Sequence, residues 1–331
     1  MRVMQLSKPA SIDGAPLTEV DIAEPVPGPD ELVIDVAACA VCRTDLQIVE
    51  GDLAARALPV VPGHQVVGRV RAVGAQVANW AVGDRAGIGW LASACGTCRF
   101  CGDGLENLCE AATFTGWDRD GGYAEQIVVR ADFALPMPVG PTDLELAPLL
   151  CGGVIGYRAL KVSGIKPGGR LGLYGFGASA SLAIQVAVHW GCEVFVATRS
   201  KAEQARARRL GAVWAGDYRT EVPTRLDAAV TFAPVGDIVV AALSALAPGG
   251  VVSINAIHLD HIPEFDYDLL WRERQLRSVA NYTRADASSF LELAAELPVR
   301  TAIQEYRLSE AGAALYDVSR GTTRGTAVLV M

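Results

Sequence analysis

The chain has 331 residues, more than one hydrophobic core usually serves, so two domains are expected. Its 51% apolar and 20% charged residues give the balance of a folded globular protein. A net charge of −8 speaks against nucleic acid, no apolar run reaches membrane-spanning length, and the first eight residues lack a secretory core, so a cytoplasmic protein is expected.

In chain order, residues 1–150 read as short strands broken by turns. Residues 32–38 and 66–73 are strands, Gly83-Asp84-Arg85 turns into residues 86–90, and Gly121-Gly122 precedes a return strand at 123–129. After Pro148 the texture changes. Residues 151–162 have helical spacing, then come a strand (171–174), a helix (179–190), a strand (193–198) and an Arg-rich helix (201–210). Further short apolar runs at 228–231 and 251–255 flank a helical 238–246. Strands alternating with helices indicate a doubly wound parallel sheet. The tail, helical at 288–296 and strand-like at 327–330, need not belong to that sheet.

The eight cysteines are unevenly placed: Cys95, Cys98, Cys101 and Cys109 lie within fifteen residues, while Cys39, Cys42, Cys151 and Cys192 are scattered. Disulfides are not expected in a reducing compartment, and such clustering points to metal. Four thiolates about 2.3 Å from Zn²⁺ close a tetrahedron with no open position, which makes such a site structural. The loop is small and turn-prone (Gly96, Thr97, Gly102, Asp103, Gly104), and backbone N–H groups must offset the surplus negative charge. An iron–sulfur cluster uses similar ligands and is the rival centre, and free thiols are the plainest alternative.

Three further potential ligands come singly: Cys42 in Cys42-Arg43-Thr44-Asp45, His64 in Pro62-Gly63-His64-Gln65, and Cys151 in Leu149-Leu150-Cys151-Gly152-Gly153. Each alone has an ordinary explanation as a small buried hydrophobe or a hydrogen-bonded core histidine. His189, His258 and His261 have no ligand-like context and are read as structural. Farther on, Tyr174-Gly175-Phe176-Gly177-Ala178-Ser179-Ala180 fits Gly-x-Gly-x-x-Ala between a strand and a helix. Gly175 makes the tight turn, Gly177 allows close approach of a pyrophosphate to the helix N-terminus, and Ala180 lets the helix pack on the sheet.

Together these motifs resemble the zinc-dependent medium-chain alcohol dehydrogenases, from the early Pro27-Gly28-Pro29 turn to the Gly325-x-Ala327-Val328-Leu329 terminus. The resemblance implies an α/β chain with a GroES-like β domain (1–150 and 284–331) and an inserted Rossmann dinucleotide-binding domain (151–283). It implies two zinc ions: a structural one on the four clustered cysteines, and a catalytic one on Cys42, His64 and Cys151. The fourth position of the catalytic ion is then open to an alcohol or aldehyde oxygen. Thr44 would take the substrate hydroxyl proton and Asp45 would fix the tautomer of His64, though both also suit an ordinary helix cap. Trp90 and Trp117 would line an apolar substrate channel, or serve simply as core.

Two positions depart from the family pattern. Gln47 stands where a proton-relaying His is often found, and Gln65 where Glu usually follows the ligand His. For the cofactor, Thr198-Arg199-Ser200-Lys201 ends the second strand without the carboxylate of an NAD enzyme and can hold a 2′-phosphate, so NADP is expected, with NAD the alternative. Ser200 capping a helix among solvated charges would explain the same residues. Phe232 and Ala233, and Asn255 and Ala256, end later strands and should flank the nicotinamide. The expected function is hydride transfer between nicotinamide and an apolar alcohol or aldehyde. Rival readings are a zinc-independent quinone or enal reductase, and a non-enzymatic zinc-and-nucleotide redox sensor. A homo-oligomer, dimer or tetramer, is expected.

Overall fold

A run of β-branched and small apolar residues makes Glu31–Ala40 a ten-residue strand, and the first part of the molecule is built around it. The computed structural model describes every residue except His258 and Pro298. It divides into two units: Met1–Cys151 with Thr283–Glu296 and Arg300–Met331, and Gly152–Tyr282 with Leu297–Val299.

In the first unit Glu31–Ala40 pairs antiparallel with Val66–Val73 along one edge. Its other edge is shared: Glu31 to Asp35 face Gln126–Arg130, and Ala38 to Ala40 face Thr326–Val330. Ile303–Arg307, Arg85–Ile88 and Leu135–Pro136 complete a seven-stranded sheet, so the tail strand does lie outside the parallel sheet. A hairpin of Arg2–Leu6 and Leu17–Asp21, which the sequence did not announce, lies beside it. Val3, Leu6, Ile34, Ile48, Val66 and Leu329 fill the core at no more than 1% exposure. The return strand starts later than expected, at Gln126 rather than 123. The physical reason is competition for hydrogen bonds. The N–H groups of Gly121, Gly122 and Tyr123 donate instead to the carbonyls of Val61, Gly63 and Pro62.

The second unit carries a six-stranded, wholly parallel sheet. Its spatial order is Trp214–Gly216, Glu193–Ala197, Arg170–Tyr174, Leu226–Thr231, Leu246–Ile254 and Gln275–Ser278. Parallel pairing needs crossovers, and the helices Ala178–His189, Lys201–Arg209 and Gly236–Ala245 supply three of them. The connection from Gly216 to Leu226 is different: it returns across the sheet in residues 217–225 without a helix. Beneath it lies a cavity of about 640 Å³ lined by Tyr174, Tyr218, Val222, Ala241, Ala245 and Leu269 among others. Because all strands run one way, the segments after Tyr174, Ala197, Thr231 and Ile254 emerge at a single edge.

Candidate functional site

The short helix Arg43–Glu50 begins directly after Cys42, its N-cap residue. Asp45, in the first turn, accepts the Cys42 backbone N–H through Oδ2 at 2.8 Å and so caps that helix. Its other oxygen, Oδ1, lies 2.7 Å from His64 Nδ1. One carboxylate thus both caps the helix and contacts His64. With Nδ1 so engaged, Nε2 is the nitrogen left to bind an ion. Cys42 Sγ and Cys151 Sγ stand 3.9 Å apart, and the donor atoms of Cys42, His64 and Cys151 all lie within 4.8 Å of one another. Sulfur ligands about 2.3 Å from a tetrahedral zinc sit about 3.8 Å apart, so this donor set fits the ion.

The electrostatics favour a cation. Burial alone would lower the His64 pKa, but the adjacent Asp45 carboxylate and Cys42 sulfur together outweigh it and push the value up to about 10. The hydrogen bond from Cys151 holds the Cys42 thiol well below its ordinary range, and the same bond raises Cys151. Thr44 is 6% exposed, and its Oγ1 lies 3.7 Å from Cys42 Sγ, beside the donor set. Gln65 is buried, with its amide bonded to the Ala40 carbonyl at 3.2 Å, and among the described residues its side chain forms no hydrogen bond to Asp45 or His64.

The four clustered cysteines converge as well, with Cys95 Sγ 3.9 Å and Cys98 Sγ 3.6 Å from Cys101 Sγ. Backbone N–H groups face the sulfurs: Cys98 N–H donates to Cys95 at 3.3 Å, Cys95 N–H donates to Cys109 at 3.5 Å, and the Gly96 N–H bonds Cys101. Hydrogen bonds from the backbones of Thr97 and Cys98 draw the Cys95 thiol down to about 6. A small apolar cluster of Leu91, Cys109, Ala112 and Phe133 underlies the loop, too little to hold it unaided. Structural zinc contributes on the order of 10 kcal/mol to folding, so losing one of four ligands should cost about 3 kcal/mol or more. Cys98→Ser is expected to lower the melting temperature by about 10 °C in calorimetry. An unchanged melting temperature would show that the loop holds no metal.

Trp90 meets His64 edge-on, with ring centroids 4.8 Å apart. It stacks on Phe114 at 5.2 Å and on Trp117 at 5.8 Å, and the Arg56 guanidinium covers Trp117 at 3.9 Å. Trp90 and Trp117 are half-buried against the core, so they are part of its packing and also a wall leading from His64. Phe114 and Arg56 were missed from sequence because neither stands in a recognisable motif. Only the spacing of Phe114 and Trp117 hinted at a shared face.

In the second unit Gly175 takes φ +86°, and a Cβ there would lie 3.0 Å from Ala233. Only glycine makes this turn without strain. Nothing lies within 4 Å of a Cβ at Gly177, which leaves space over the helix N-terminus, and Ala180 is fully buried against the sheet. Ala178 and Ser179 form the first turn of that helix. Thr198, Phe232 and Asn255 follow their strands at the same edge, tied by Thr198 N–H to Gly216, Phe232 N–H to Tyr174 and Asn255 N–H to Thr231. Ala233 and Ala256 are half-buried beside them. Ser200 caps the helix Lys201–Arg209, its Oγ accepting Glu203 N–H at 3.3 Å, so that reading holds for Ser200. Arg199 is exposed and forms no hydrogen bond or ion pair among the described residues. His189 ends a helix and His261 is exposed, and neither belongs to either cluster, while His258 lies outside the described residues.

Residues 28–139 match the alcohol dehydrogenase GroES-like domain, and residues 178–296 match the zinc-binding dehydrogenase domain. The chain is 48% identical to a probable alcohol dehydrogenase, AdhA, of Mycobacterium tuberculosis, covering all of this chain and 97% of that protein. An alcohol dehydrogenase of Geobacillus stearothermophilus is 32% identical over 95% of this chain and 96% of its own length. Among solved structures, a cinnamyl alcohol dehydrogenase of Sorghum bicolor superposes with a TM-score of 0.90 at 26% identity, covering 99% of this chain and 97% of that one.

Proposed function

The chain belongs to the zinc-binding medium-chain alcohol dehydrogenase family, and from that premise we propose a zinc-dependent, NADP-preferring oxidoreductase of apolar alcohols and aldehydes. The reaction is RCH₂OH + NADP⁺ ⇌ RCHO + NADPH + H⁺. The observation that carries the zinc dependence is the convergence of Cys42, His64 and Cys151, three donors where a closed structural site would have four. When bound, zinc supplies Lewis acidity to the substrate oxygen and the nicotinamide donates or accepts the hydride.

The remaining steps belong to the chain. Two thiolates and a neutral imidazole cancel the charge of the ion. Asp45 accepts the His64 Nδ1 proton and fixes the tautomer. Thr44 Oγ1 accepts the hydroxyl proton of the alcohol and passes its own outward, and in reduction it returns one. Gln47 has no titratable group, so the relay leaves by a route other than a histidine at that position. Trp90, Phe114 and Trp117 present an apolar wall that favours hydrophobic substrates over charged polyols. Gly175, Gly177, Ala178 and Ser179 would hold the pyrophosphate, and Thr198 and Arg199 the 2′-phosphate.

The test is steady-state turnover of a panel of aliphatic, aromatic and polyol substrates with each cofactor, alongside metal counting. Activity on apolar aldehydes that is lost to a chelator and restored by zinc is expected. Full turnover after the triad has been emptied would instead favour a zinc-independent reductase, and no turnover on any substrate would favour a sensor.

A further inference from the structure

Resting on the reading that Cys42, His64 and Cys151 hold zinc, we infer that Tyr123 is a positioning residue for that triad: through Asp45 it sets how His64 is held and how firmly the site keeps its ion. Asp45 is fully buried, and among the described residues no Lys or Arg is paired with it. Its charge rests on three donors: the Cys42 N–H and the Tyr123 hydroxyl on Oδ2, at 2.8 and 3.2 Å, and His64 on Oδ1 at 2.7 Å. A buried carboxylate is tolerated only when such bonds are made. The two donors on Oδ2 also stop the carboxylate rotating about Cβ–Cγ, which keeps Oδ1 aimed at His64. With Cys42 N–H alone, that rotation is a hinge.

Tyr123 is well placed to act as the fixed point. It is fully buried, its N–H donates to Pro62 and its carbonyl accepts Met4 N–H at 2.8 Å. Its ring presses on the segment that carries His64: a Cβ on Gly63, which takes φ +99°, would lie 2.4 Å from Tyr123 Cδ1. The ring thus packs the His64 loop while the hydroxyl reaches the start of the helix that bears Asp45. Packing belongs to the ring and carboxylate control to the hydroxyl. Tyr123→Phe separates the two.

The experiment uses the zinc-loaded full chain and follows zinc release to a chromogenic chelator. Two phases are expected, and the one missing in Cys151→Ala belongs to the triad. Loss of a supporting hydrogen bond two steps beyond the ligand should speed the triad phase of Tyr123→Phe by about five- to thirtyfold. The phase of the four-cysteine site should keep its rate. In an Asp45→Ala background Tyr123→Phe should add nothing further, because the hydroxyl acts only through that carboxylate. An unchanged triad phase overturns the inference, as does equal acceleration of both phases, which would mean general loosening of the unit. Should the Phe variant fail to fold, 3-fluorotyrosine at position 123 keeps the size and donates more strongly. It should slow the triad phase, and a rate equal to that of the unmodified protein overturns the inference. If the unmodified chain shows no triad phase at all, the functional reading falls too, so the two failures are distinguishable.

Discussion

Cys151→Ala is expected to leave one zinc ion per chain, where the unmodified protein holds two, and to lower kcat/KM by about a thousandfold or more. Polarisation of a carbonyl by a bound metal is worth several kcal/mol of transition-state stabilisation, and about 1.4 kcal/mol is tenfold in rate. Cys151 is the cleanest of the three ligands to remove. His64→Ala would also strip Asp45 of a buried partner, and breaking such a pair costs about 3–5 kcal/mol of stability, so lost activity there would mix with unfolding. Among the described residues Cys151 forms no hydrogen bond to Asp45, and its sulfur is hydrogen-bonded to Cys42. The four-cysteine site shares no residue with the triad, so circular dichroism should be unchanged. Metal counting decides the matter together with kinetics. One zinc or none in the unmodified protein, or two in Cys151→Ala, would falsify the mechanism.

Local chemistry was the legible part of this chain. Strand 66–73 was read at the bounds it has, Val66–Val73, because alternating valines between glycine turns leave little choice. The four cysteines and the Gly175 turn were legible for the same reason: each is a short segment whose residues meet one another. What the sequence withheld is what depends on distant pairing. Leu17–Asp21 is half exposed and polar, and it is a strand only because Arg2–Leu6 lies beside it. Arg43–Glu50 went unread as a helix since eight residues with one cap give a weak periodic signal. The helix-free return through 217–225 reads as an ordinary loop until the strand order shows how much sheet it crosses. Tyr123 looked like the first residue of a strand, and only the fold brings its hydroxyl to a carboxylate seventy-eight positions away.

The choice of dinucleotide turns on a few residues at one strand end. Ser200 caps a helix and Lys201 Nζ lies 3.4 Å from Gln204 Oε1, which leaves Arg199 without a hydrogen bond or ion pair among the described residues. Thr198 offers its hydroxyl while its carbonyl accepts Gln204 Nε2 at 2.7 Å, which pins the backbone where a ribose would rest. A guanidinium on a phosphate makes charge-assisted hydrogen bonds worth roughly 1.5–3 kcal/mol each. Arg199 is exposed, so solvent screening trims that, and a preference of about tenfold to a hundredfold for NADPH over NADH is expected. Arg199→Ala should remove most of it by weakening NADPH, with NADH little changed. Thr198→Asp should go further and reverse the preference, since the carboxylate both accepts from the ribose hydroxyls and repels the 2′-phosphate. The deciding quantity is kcat/KM for each cofactor with one good aldehyde, in the unmodified enzyme and both variants. A clear NADH preference in the unmodified enzyme would mean that Arg199 points away from the cofactor and that other groups hold the ribose.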